Sequence, residues 1–561
     1  MKRNWFIVLF TLIMIASIFA GGGGQSSTQS TQAGAGTVQI NRSGTLPIVR
    51  GSPITLRIMT PANPVVEDYE TNEQTLMLEK DTNINLDFEV IPGSATDFRQ
   101  RLNLIIAAGG TELPDIVMGG GLSQGIVTSY GQSGFFMPLT NYYKTHTYFL
   151  QEAFKNGVMT YDEALKYITS FDGNIYGIPR YVYSQNNEYS SARAIMYEPW
   201  LQKLNLKEPN TTEELRTVLR AFRDNDPNGN GQRDELPMVS FNGNIQNVMR
   251  YLMTPFEYIQ ENYYSLNNGT VDFAFTKDGW REGTRYVKSL VSENLLDPSF
   301  LTQNQAQFNA IMNAAVPVAG SAINISTTNI SANDRKRYEY IELIALQGPD
   351  GRREAVWHPT LPVLDWYITK NCKNVEAAFL LGDYMCSEKL SMMQRYGAEG
   401  RDWKKWEPGD ATNAWYDLGY ENTIVLYSVW GVLQNVWWGQ TCPCIITPRM
   451  FRGYAQLPVT GDMAELANDY EKSYTKSRLE NQKYTKTEKV LTGLIFNAQE
   501  DDVVNNTGAM IRTYVDECWA RFVTGDMDLD RDWNSYLAEL NRMGLREYIA
   551  AIQSCYNRMY K

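Results

Sequence analysis

An alternation of strand-like and helix-like segments between residues 54 and 118 constrains the fold of this chain more than any other feature. Residues 54–58 and 84–90 alternate apolar and polar side chains, as half-buried strands do. Residues 67–81 have the length and composition of a helix, and 98–106 have one apolar helical face. Residues 113–118 then form a short apolar strand. This order of strand, helix, strand, helix, strand predicts a parallel sheet flanked by helices.

Three glycines, Gly119 to Gly121, follow the last of these strands. In parallel sheets, ligands bind beyond the carboxyl ends of the strands. The glycines are therefore near a candidate site, although a plain flexible turn explains them equally well. The full length of 561 residues exceeds what one hydrophobic core holds, so two or more lobes are expected.

The first twenty residues have the layout of an export signal. Lys2 and Arg3 precede a nearly continuous apolar run, and Ala20 is followed by four glycines. We predict a signal peptide over 1–20, with an uncleaved membrane anchor as the alternative. Residues 21–50 are predicted to be a flexible linker, since Gly, Ser, Thr and Gln dominate its first part. No cysteine follows the apolar run, so lipid attachment at the usual cysteine is not expected.

Charge and cysteine usage narrow the classes of partner. The formal net charge is −12, which argues against nucleic acid as a partner. No second long apolar segment follows the first, so the body is predicted to be soluble. The six cysteines are spaced too irregularly for a zinc site or a disulfide scaffold. They are expected to be buried thiols or to form one or two bridges.

One loop carries clear metal chemistry. Calcium takes six to eight oxygen ligands, and closely spaced Asp and Asn residues on a turning loop provide them. Side-chain or backbone oxygens for such a site come from Asp226, Asn228, Asn230, Gln232 (through its carbonyl), Asp234 and Glu235. A count that begins at Asp224 also fits the helix–loop–helix calcium pattern, with Glu235 at the twelfth position. A polar turn without metal is the remaining alternative.

Catalytic motifs do not stand out. The chain has two histidines, His146 and His358, far apart in sequence. A zinc site built on two histidines would need both, and a Ser-His-Asp triad would need one of them. We find no nucleophile elbow and no phosphate-binding loop. The calcium of the predicted loop would be structural, because its ligand set is closed and rich in hard oxygens.

Four stretches carry a resemblance to a known family: 101–116 with its Leu-Pro-Asp-Ile end, Gly-Asn-Ile-Tyr-Gly-Ile-Pro-Arg at 173–180, Glu-Pro-Trp-Leu-Gln-Lys-Leu-Asn-Leu at 198–206 with the later calcium-type loop, and 522–545. In these stretches the chain resembles the family 1 extracellular solute-binding proteins of ABC importers, especially the lipoprotein-like and alginate-binding members. The resemblance covers nearly all of the body after about residue 52. It also favours the register of the calcium loop that begins at Asp226.

The resemblance implies a two-lobed periplasmic-binding-protein fold of the α/β class, type II-like, with a central ligand cleft and a helical C-terminal segment. We assign 51–180 plus about 366–440 to the N-terminal lobe. The C-terminal lobe is 181–365 plus about 441–561, and it contains the calcium loop at 224–235. The implied partners are the membrane subunits of an ABC transporter. The protein is expected to be exported, periplasmic or associated with the cell surface, and monomeric.

The predicted function is capture of a carbohydrate, most simply an oligosaccharide, by hinge closure. Aromatic faces would stack on sugar rings, and charged groups would pair with hydroxyls. Candidate ligand-binding residues lie at presumed loops or crossovers, and about half are expected to be core or rim residues: Arg180, Tyr181, Trp357, Arg401, Asp402, Trp430, Trp437 and Trp438. Two other functions stay open. One is an exported glycoside-acting enzyme, which needs only two suitably spaced carboxylates, and the other is a ligand-sensing module for a membrane receptor.

Overall fold

The structure, a computed structural model, describes residues 38–155, 157, 159–183, 192–323, 327, 329–331, 334–427, 434–456 and 464–561. The predicted signal at 1–20, most of the predicted linker and the candidate residue Trp430 lie outside the described residues. Within the described ranges, no helix combines the length and the apolar character that crossing a membrane requires.

The strands of the described residues are β1 Gln39–Ile40, β2 Val49–Arg50, β3 Ile54–Pro61, β4 Ile84–Ile91, β5 Ile116–Met118, β6 Ile178–Val182, β7 Ala194–Tyr197, β8 Tyr264–Asn267, β9 Thr270–Phe273, β10 Ser321–Ile323, β11 Tyr340–Leu343, β12 Val363–Ile368, β13 Trp403–Lys405, β14 Ile424–Leu426, β15 Cys444–Ile446 and β16 Tyr454–Gln456.

The α-helices are α1 Glu73–Thr82, α2 Ala95–Ala107, α3 Gln124–Gln132, α4 Thr140–Thr145, α5 Phe149–Lys155, α6 Tyr161–Ile168, α7 Glu198–Lys203, α8 Thr212–Asp224, α9 Ile245–Met253, α10 Asp278–Ser292, α11 Gln305–Met312, α12 Val375–Met385, α13 Glu388–Tyr396, α14 Pro448–Arg452, α15 Ala464–Gln482, α16 Ala498–Asn505, α17 Thr507–Thr524, α18 Trp533–Arg542 and α19 Leu545–Tyr560.

The predicted parallel sheet is present, with one exception. Its strand order is β15-β6-β12-β5-β3-β4. β3 pairs in parallel with β4 over eight residues, from Ile54 opposite Ile84 to Pro61 opposite Ile91. β3 also pairs in parallel with β5, and β15 pairs in parallel with β6. β12 instead runs antiparallel to both β5 and β6. The chain returns to this sheet from the other half of the molecule at the carboxyl edge, so β12 enters the sheet in the reverse direction.

Part of the predicted linker is folded. Residues 39–50 form a short antiparallel ribbon in which β1 pairs with β2. Ile48 and Val49 are buried in the core beside the six-stranded sheet, which explains why this segment is ordered. The start of the folded body is therefore about a dozen residues earlier than the composition of the segment predicts.

Two large hydrophobic cores divide the body into two lobes. One core joins residues between Ile48 and Tyr183 with residues between Leu364 and Phe451. The other joins residues between Ala192 and Val356 with residues between Leu491 and Ile552. The chain crosses from one core to the other after Tyr183 and returns after Val356. The lobe boundary predicted at about 440 differs from the extent of the first core. β15 belongs to the six-stranded sheet, and Ile445 of β15 and Cys442 just before it both lie in the first core.

The second lobe contains a three-stranded antiparallel sheet, ordered β10-β7-β11, with helices around it. α15 packs on β11, and α17 packs on α10. α16 to α19 complete this lobe as the predicted helical C-terminal segment. The helices bury residues of one face, such as Leu215, Leu219 and Phe222 of α8, because an amphipathic helix gains stability by removing its apolar side from water.

A third, small sheet lies against the first lobe. Its order is β13-β14-β16, with β14 antiparallel to β13 and parallel to β16. β15 lies between the core of the first lobe and a small cluster at this sheet. Ile445 packs in the core of the first lobe, whereas Cys444 and Ile446 pack in the small cluster. Side chains alternate between the two faces of a strand, so one short apolar strand serves both cores.

All six cysteines lie within the described residues. Each is buried and none forms a disulfide. The bridges that the sequence left open are therefore absent, and the cysteines act as small apolar side chains of the cores.

Candidate functional site

The carboxyl edge of the six-stranded sheet positions the first candidate site. β3, β4, β5, β6 and β15 all end at this edge, because they run in the same direction. Gly119, Gly120 and Gly121 follow β5 with φ of 74°, 81° and 60°. A Cβ on Gly120 would lie 2.4 Å from the ring of Phe98, whereas a Cβ on Gly121 would meet nothing closer than 3.8 Å. The glycine turn is thus shaped by its close packing on α2 and is not merely flexible.

Arg180 is a candidate that the structure brings to this edge. Its guanidinium forms an ion pair with Asp365, which stands at the start of β12 beside it. The Arg180 side chain is 32% exposed and that of Asp365 only 6%. Burial raises the pKa of Asp365, and the positive charge of Arg180 acts in the opposite direction. The carboxylate therefore holds the guanidinium in place, and its exposed part faces solvent at the edge where ligands of such sheets bind.

Tyr181, in contrast, points into the core. It is 1% exposed, and its ring lies 6.0 Å from that of Phe154. Because adjacent residues of a strand point to opposite faces, Arg180 and Tyr181 cannot both face the cleft. The assignment of Tyr181 as a ligand-binding residue is not compatible with this geometry.

The tryptophans at 437 and 438 are also buried. Trp438 has no exposed surface and donates its indole N–H to Thr75 Oγ1 at 2.9 Å. Trp437 is 7% exposed and belongs to a small cluster with Met393 and Val436. Both rings fix the segment before β15 against α1 and α13, so their role in this structure is packing.

Arg401 and Asp402 shape a turn. Arg401 forms ion pairs with Glu73 and with Asp402. Asp402 accepts a hydrogen bond from the backbone N–H of Ala398 at 2.8 Å, which closes the turn before β13. Trp357 is half-buried on the segment that returns from the second lobe, and its carbonyl accepts a hydrogen bond from Gln260 Nε2 at 2.8 Å. These three residues do not cluster with Arg180 in the described contacts.

A second group of residues at the same edge was missed from the sequence. Tyr183 follows β6, and Arg452 ends the helix that follows β15. The Arg452 guanidinium lies over the ring of Tyr420 at 4.8 Å, Trp415 at 5.6 Å and Tyr183 at 5.8 Å. Arg452 Nη2 also donates to the Tyr183 hydroxyl at 3.2 Å. The available signal was the aromatic density between 403 and 427, but only the fold brings these rings to the ends of β6 and β15.

The predicted calcium loop lies on the second lobe, directly after α8. The Asp226 carboxylate accepts hydrogen bonds from the backbone N–H groups of Gly229 at 2.7 Å, Asn230 at 3.1 Å and Gly231 at 2.9 Å. These bonds, led by that from Gly231, lower the pKa of Asp226. The side-chain amides of Asn228 and Asn230 both reach Asp234 Oδ1, at 2.9 and 3.1 Å. The loop thus folds its oxygen-bearing side chains toward one another.

The charges of this loop fit a cation. Glu235 Oε1 is buried without a hydrogen-bond partner. Burial raises the pKa of Glu235, and the nearby charges of Asp234 and Asp226 raise it further. A hard divalent cation would neutralise this group of carboxylates. Asp224 stands apart, because it ends α8 and pairs with Arg223. No group of three or more His, Cys, Asp or Glu side chains in the described part of the chain is arranged to hold a metal, so coordination here would also need asparagine and backbone oxygens.

Comparison with known proteins places these features in a family. Residues 59–390, more than half of the chain, match the model of bacterial extracellular solute-binding proteins. The fructooligosaccharide ABC transporter substrate-binding protein FusA of Streptococcus pneumoniae is 25% identical over 523 residues, which cover 90% of each chain. Lipoprotein LipO of Bacillus subtilis is 25% identical over 371 residues, or 63% of this chain and 68% of LipO.

Solved structures share the fold. FusA in complex with kestose superposes with a TM-score of 0.70 at 21% identity, covering 90% of this chain and 99% of FusA. An EF-hand mutant of FusA has also been solved. The alginate-binding protein AlgQ2 without calcium ion gives a TM-score of 0.62 at 22% identity, with 90% and 98% coverage. The expected two-lobed α/β fold is thereby confirmed. By the extent of the family match, this chain belongs to the bacterial extracellular solute-binding proteins.

Proposed function

We propose that this protein captures an oligosaccharide between its two lobes and delivers it to the membrane subunits of an ABC importer. The observation that carries the proposal is the family match over 59–390, together with FusA, a fructooligosaccharide-binding protein of an ABC transporter that aligns over nine-tenths of both chains. The ligand leaves unchanged. The protein acts outside the cytoplasm, in the periplasm or at the cell surface, as a monomer.

Capture follows from the arrangement of the two cores. The lobes are joined by crossing segments, and a ligand that contacts both lobes binds the closed arrangement better than the open one. Its differential affinity shifts the population toward closure. On the first lobe, Arg180 offers guanidinium N–H groups to sugar hydroxyls while Asp365 fixes its orientation. Arg452 and the rings around it border the same edge.

Calcium has a structural part in this proposal. The residues that would hold it are Asp226, Asn228, Asn230, Asp234, Glu235 and the carbonyl of Gln232. A bound cation would offset the repulsion among the three carboxylates. Lys203 Nζ already holds the loop at its start, donating to the carbonyls of Asp226 and Pro227 at 3.0 Å each. None of the described contacts of the loop involves Arg180, so calcium would stabilise the second lobe and would not touch the ligand.

Titration calorimetry with a panel of neutral and acidic oligosaccharides tests the proposal. We expect saturable binding of at least one sugar, recovery of that sugar intact, and a smaller radius of gyration by small-angle scattering when it is bound. Arg180→Lys keeps the charge beside Asp365 but loses the planar donor geometry, so we expect about tenfold weaker binding, or about 1.4 kcal/mol.

Arg531→Lys is the matched control, because Arg531 is an exposed arginine that also pairs with a carboxylate. Its affinity should equal that of the unmodified protein. Recovery of cleaved sugar would instead identify a glycoside-acting enzyme. Absence of binding across the whole panel would remove the carbohydrate from the proposal.

A further inference from the structure

Aromatic side chains are exposed on the segment between β13 and β14. Tyr416 is 43% exposed and Tyr420 is 38% exposed, and Leu418 between them is 49% exposed. Trp406 lies beside Tyr416, with ring centroids 5.6 Å apart, and Trp415 lies beside Tyr420 at 5.3 Å. We call Trp406, Trp415, Tyr416 and Tyr420 the ring platform. Its exposed rings are those of Tyr416 and Tyr420, whereas Trp406 is half-buried and Trp415 is buried. Exposed large apolar side chains that lie close together on a folded protein mark a binding surface.

The ring platform is held in place by hydrogen bonds. Trp406 Nε1 donates to the carbonyl of Ala411 at 2.9 Å. Asn413 Nδ2 donates to the carbonyl of Arg452 at 2.7 Å, and its Oδ1 accepts from the backbone N–H of Tyr416 at 2.9 Å. These bonds fix the segment against the small sheet. A ligand that binds the rings therefore does not have to order them first, which lowers the entropic cost of binding.

The ring platform adjoins the carboxyl edge of the six-stranded sheet. The Arg452 guanidinium lies over the ring of Tyr420 and also over that of Tyr183, directly after β6. Asp417, within the platform segment, forms an ion pair with Lys472 at 3.2 Å. Lys472 belongs to α15, which packs on β11 of the second lobe. The end of β6 at Tyr183 and the ring platform are thus neighbours through Arg452.

The charges around the ring platform point to an uncharged ligand. Lys404 pairs with Asp410 at 2.7 Å, and Lys472 pairs with Asp417. Arg452 stacks on aromatic rings. Apolar faces of sugar rings pack well on Tyr and Trp, and the phenol hydroxyls can hydrogen-bond to the sugar rim. An acidic sugar would gain little here, since the nearby lysines already have carboxylate partners.

We propose that the ring platform is an outer subsite for the sugar units of a neutral oligosaccharide that extend beyond the edge at Tyr183. The protein consequently prefers longer chains to shorter chains of the same linkage. This inference rests on the proposed function. It adds the surface that would bind the additional sugar units of longer chains, and it adds that the ligand is uncharged.

Titration calorimetry with a trisaccharide and a longer inulin-type fructooligosaccharide tests the subsite. The protein should bind the longer chain more tightly. The double variant Tyr416→Ala/Tyr420→Ala should lose about tenfold in affinity for the longer chain, as expected for two lost ring contacts, with no change for the trisaccharide. Tyr416→Phe/Tyr420→Phe keeps both rings and should retain most of the affinity. Tyr560→Ala removes a tyrosine that is 46% exposed elsewhere and should change neither affinity.

Three results would overturn the subsite. Equal affinity of the double alanine variant and the unmodified protein for the longer chain assigns the exposed rings to another partner, while the proposed function stands. An equal loss for both chains places the two tyrosines in the central site. Failure of the unmodified protein to bind either chain, although it binds another sugar of the calorimetry panel, removes this ligand class, and failure on the whole panel removes the proposed function as well. Circular dichroism of each variant shows that its fold is kept.

Discussion

At the scale of single residues, one buried acid links two helices of the first lobe that are distant in the sequence. Asp383 is 1% exposed within α12. Its two carboxylate oxygens accept hydrogen bonds from the backbone N–H groups of Tyr148, Phe149 and Leu150, each at 3.0 Å. These N–H groups begin α5 and have no partner within their own helix. A single acid thus ties two helices that are over 230 residues apart in the chain.

Asp383→Ala should lower the free energy of unfolding by about 2–4 kcal/mol, because it leaves buried amides without acceptors. Urea unfolding measures this change, and Asp526→Ala, at an exposed position, should change the free energy of unfolding by less than about 0.5 kcal/mol.

Burial raises the pKa of Asp383 from 3.8 to about 6. An acid with a raised pKa in the folded state stabilises the fold most below its unfolded pKa. The free energy of unfolding of the unmodified protein, relative to that of Asp383→Asn, should therefore decrease as the pH rises from about 4 to about 6. A difference that does not change with pH would contradict this prediction.

At the scale of elements, the turn after α8 illustrates how a local sequence defines a site. Asp226 accepts three backbone N–H groups, and Gly229 and Gly231 adopt φ of 76° and 73°. Residues with a Cβ seldom adopt such angles, so the glycines permit the tight path of the loop. Because all of these interactions are within ten residues, the sequence alone could define the loop.

Removal of calcium with a chelator should lower the melting temperature of the unmodified protein, because a ligand that binds only the folded state stabilises it. Glu235→Gln removes one of the three carboxylates and should weaken calcium binding at least tenfold. Asp224→Asn is the matched control, since Asp224 pairs with Arg223 outside the loop. Calcium titrations by calorimetry compare the two variants. A loss of calcium binding in both variants would favour the register that begins at Asp224, because Glu235 is then its twelfth position. If the unmodified protein bound no calcium, the proposed metal site would be wrong.

At the scale of the whole molecule, one contact between the lobes depends on a missing side chain. α3 of the first lobe touches α16 of the second. A Cβ on Gly125 of α3 would lie 2.5 Å from Asp501 Oδ2. In the present arrangement, an alanine at 125 requires the Asp501 carboxylate or the lobe to move. Alanine is a better helix former than glycine, so a loss caused by Gly125→Ala cannot come from the helix itself.

Gly125→Ala should hold the lobes slightly apart and weaken ligand binding several-fold, with no loss of stability to urea. Gly125→Ala combined with Asp501→Ala removes the overlapping carboxylate and should restore the affinity. Small-angle scattering of the ligand-bound variants would report the larger separation. Equal ligand affinity of Gly125→Ala and the unmodified protein would mean that closure does not use this contact.

Local patterns in the sequence determined much of this protein. Alternation at 54–58 and 84–90 placed β3 and β4, and the spacing of Asp226, Asn228 and Asn230 defined the loop after α8. The prediction of a helical C-terminal segment and of a two-lobed fold is confirmed by the structure and its relatives. Such features depend on neighbours along the chain or on the overall order of elements, and both can be read from the sequence.

Only the tertiary structure decided which side chains are buried. Arg180 and Tyr181 are adjacent in β6, and strand alternation shows that they point to opposite faces but not which face is buried. Trp438 resembles a ring for stacking in the sequence but fills the core, whereas Arg452 and Tyr420 meet over a separation of about thirty residues. The antiparallel direction of β12, and the packing of β15 against both the core of the first lobe and the small cluster at the third sheet, could not be predicted from the sequence either. Each depends on which distant segment packs against a residue, and periodicity along the chain carries no record of that partner.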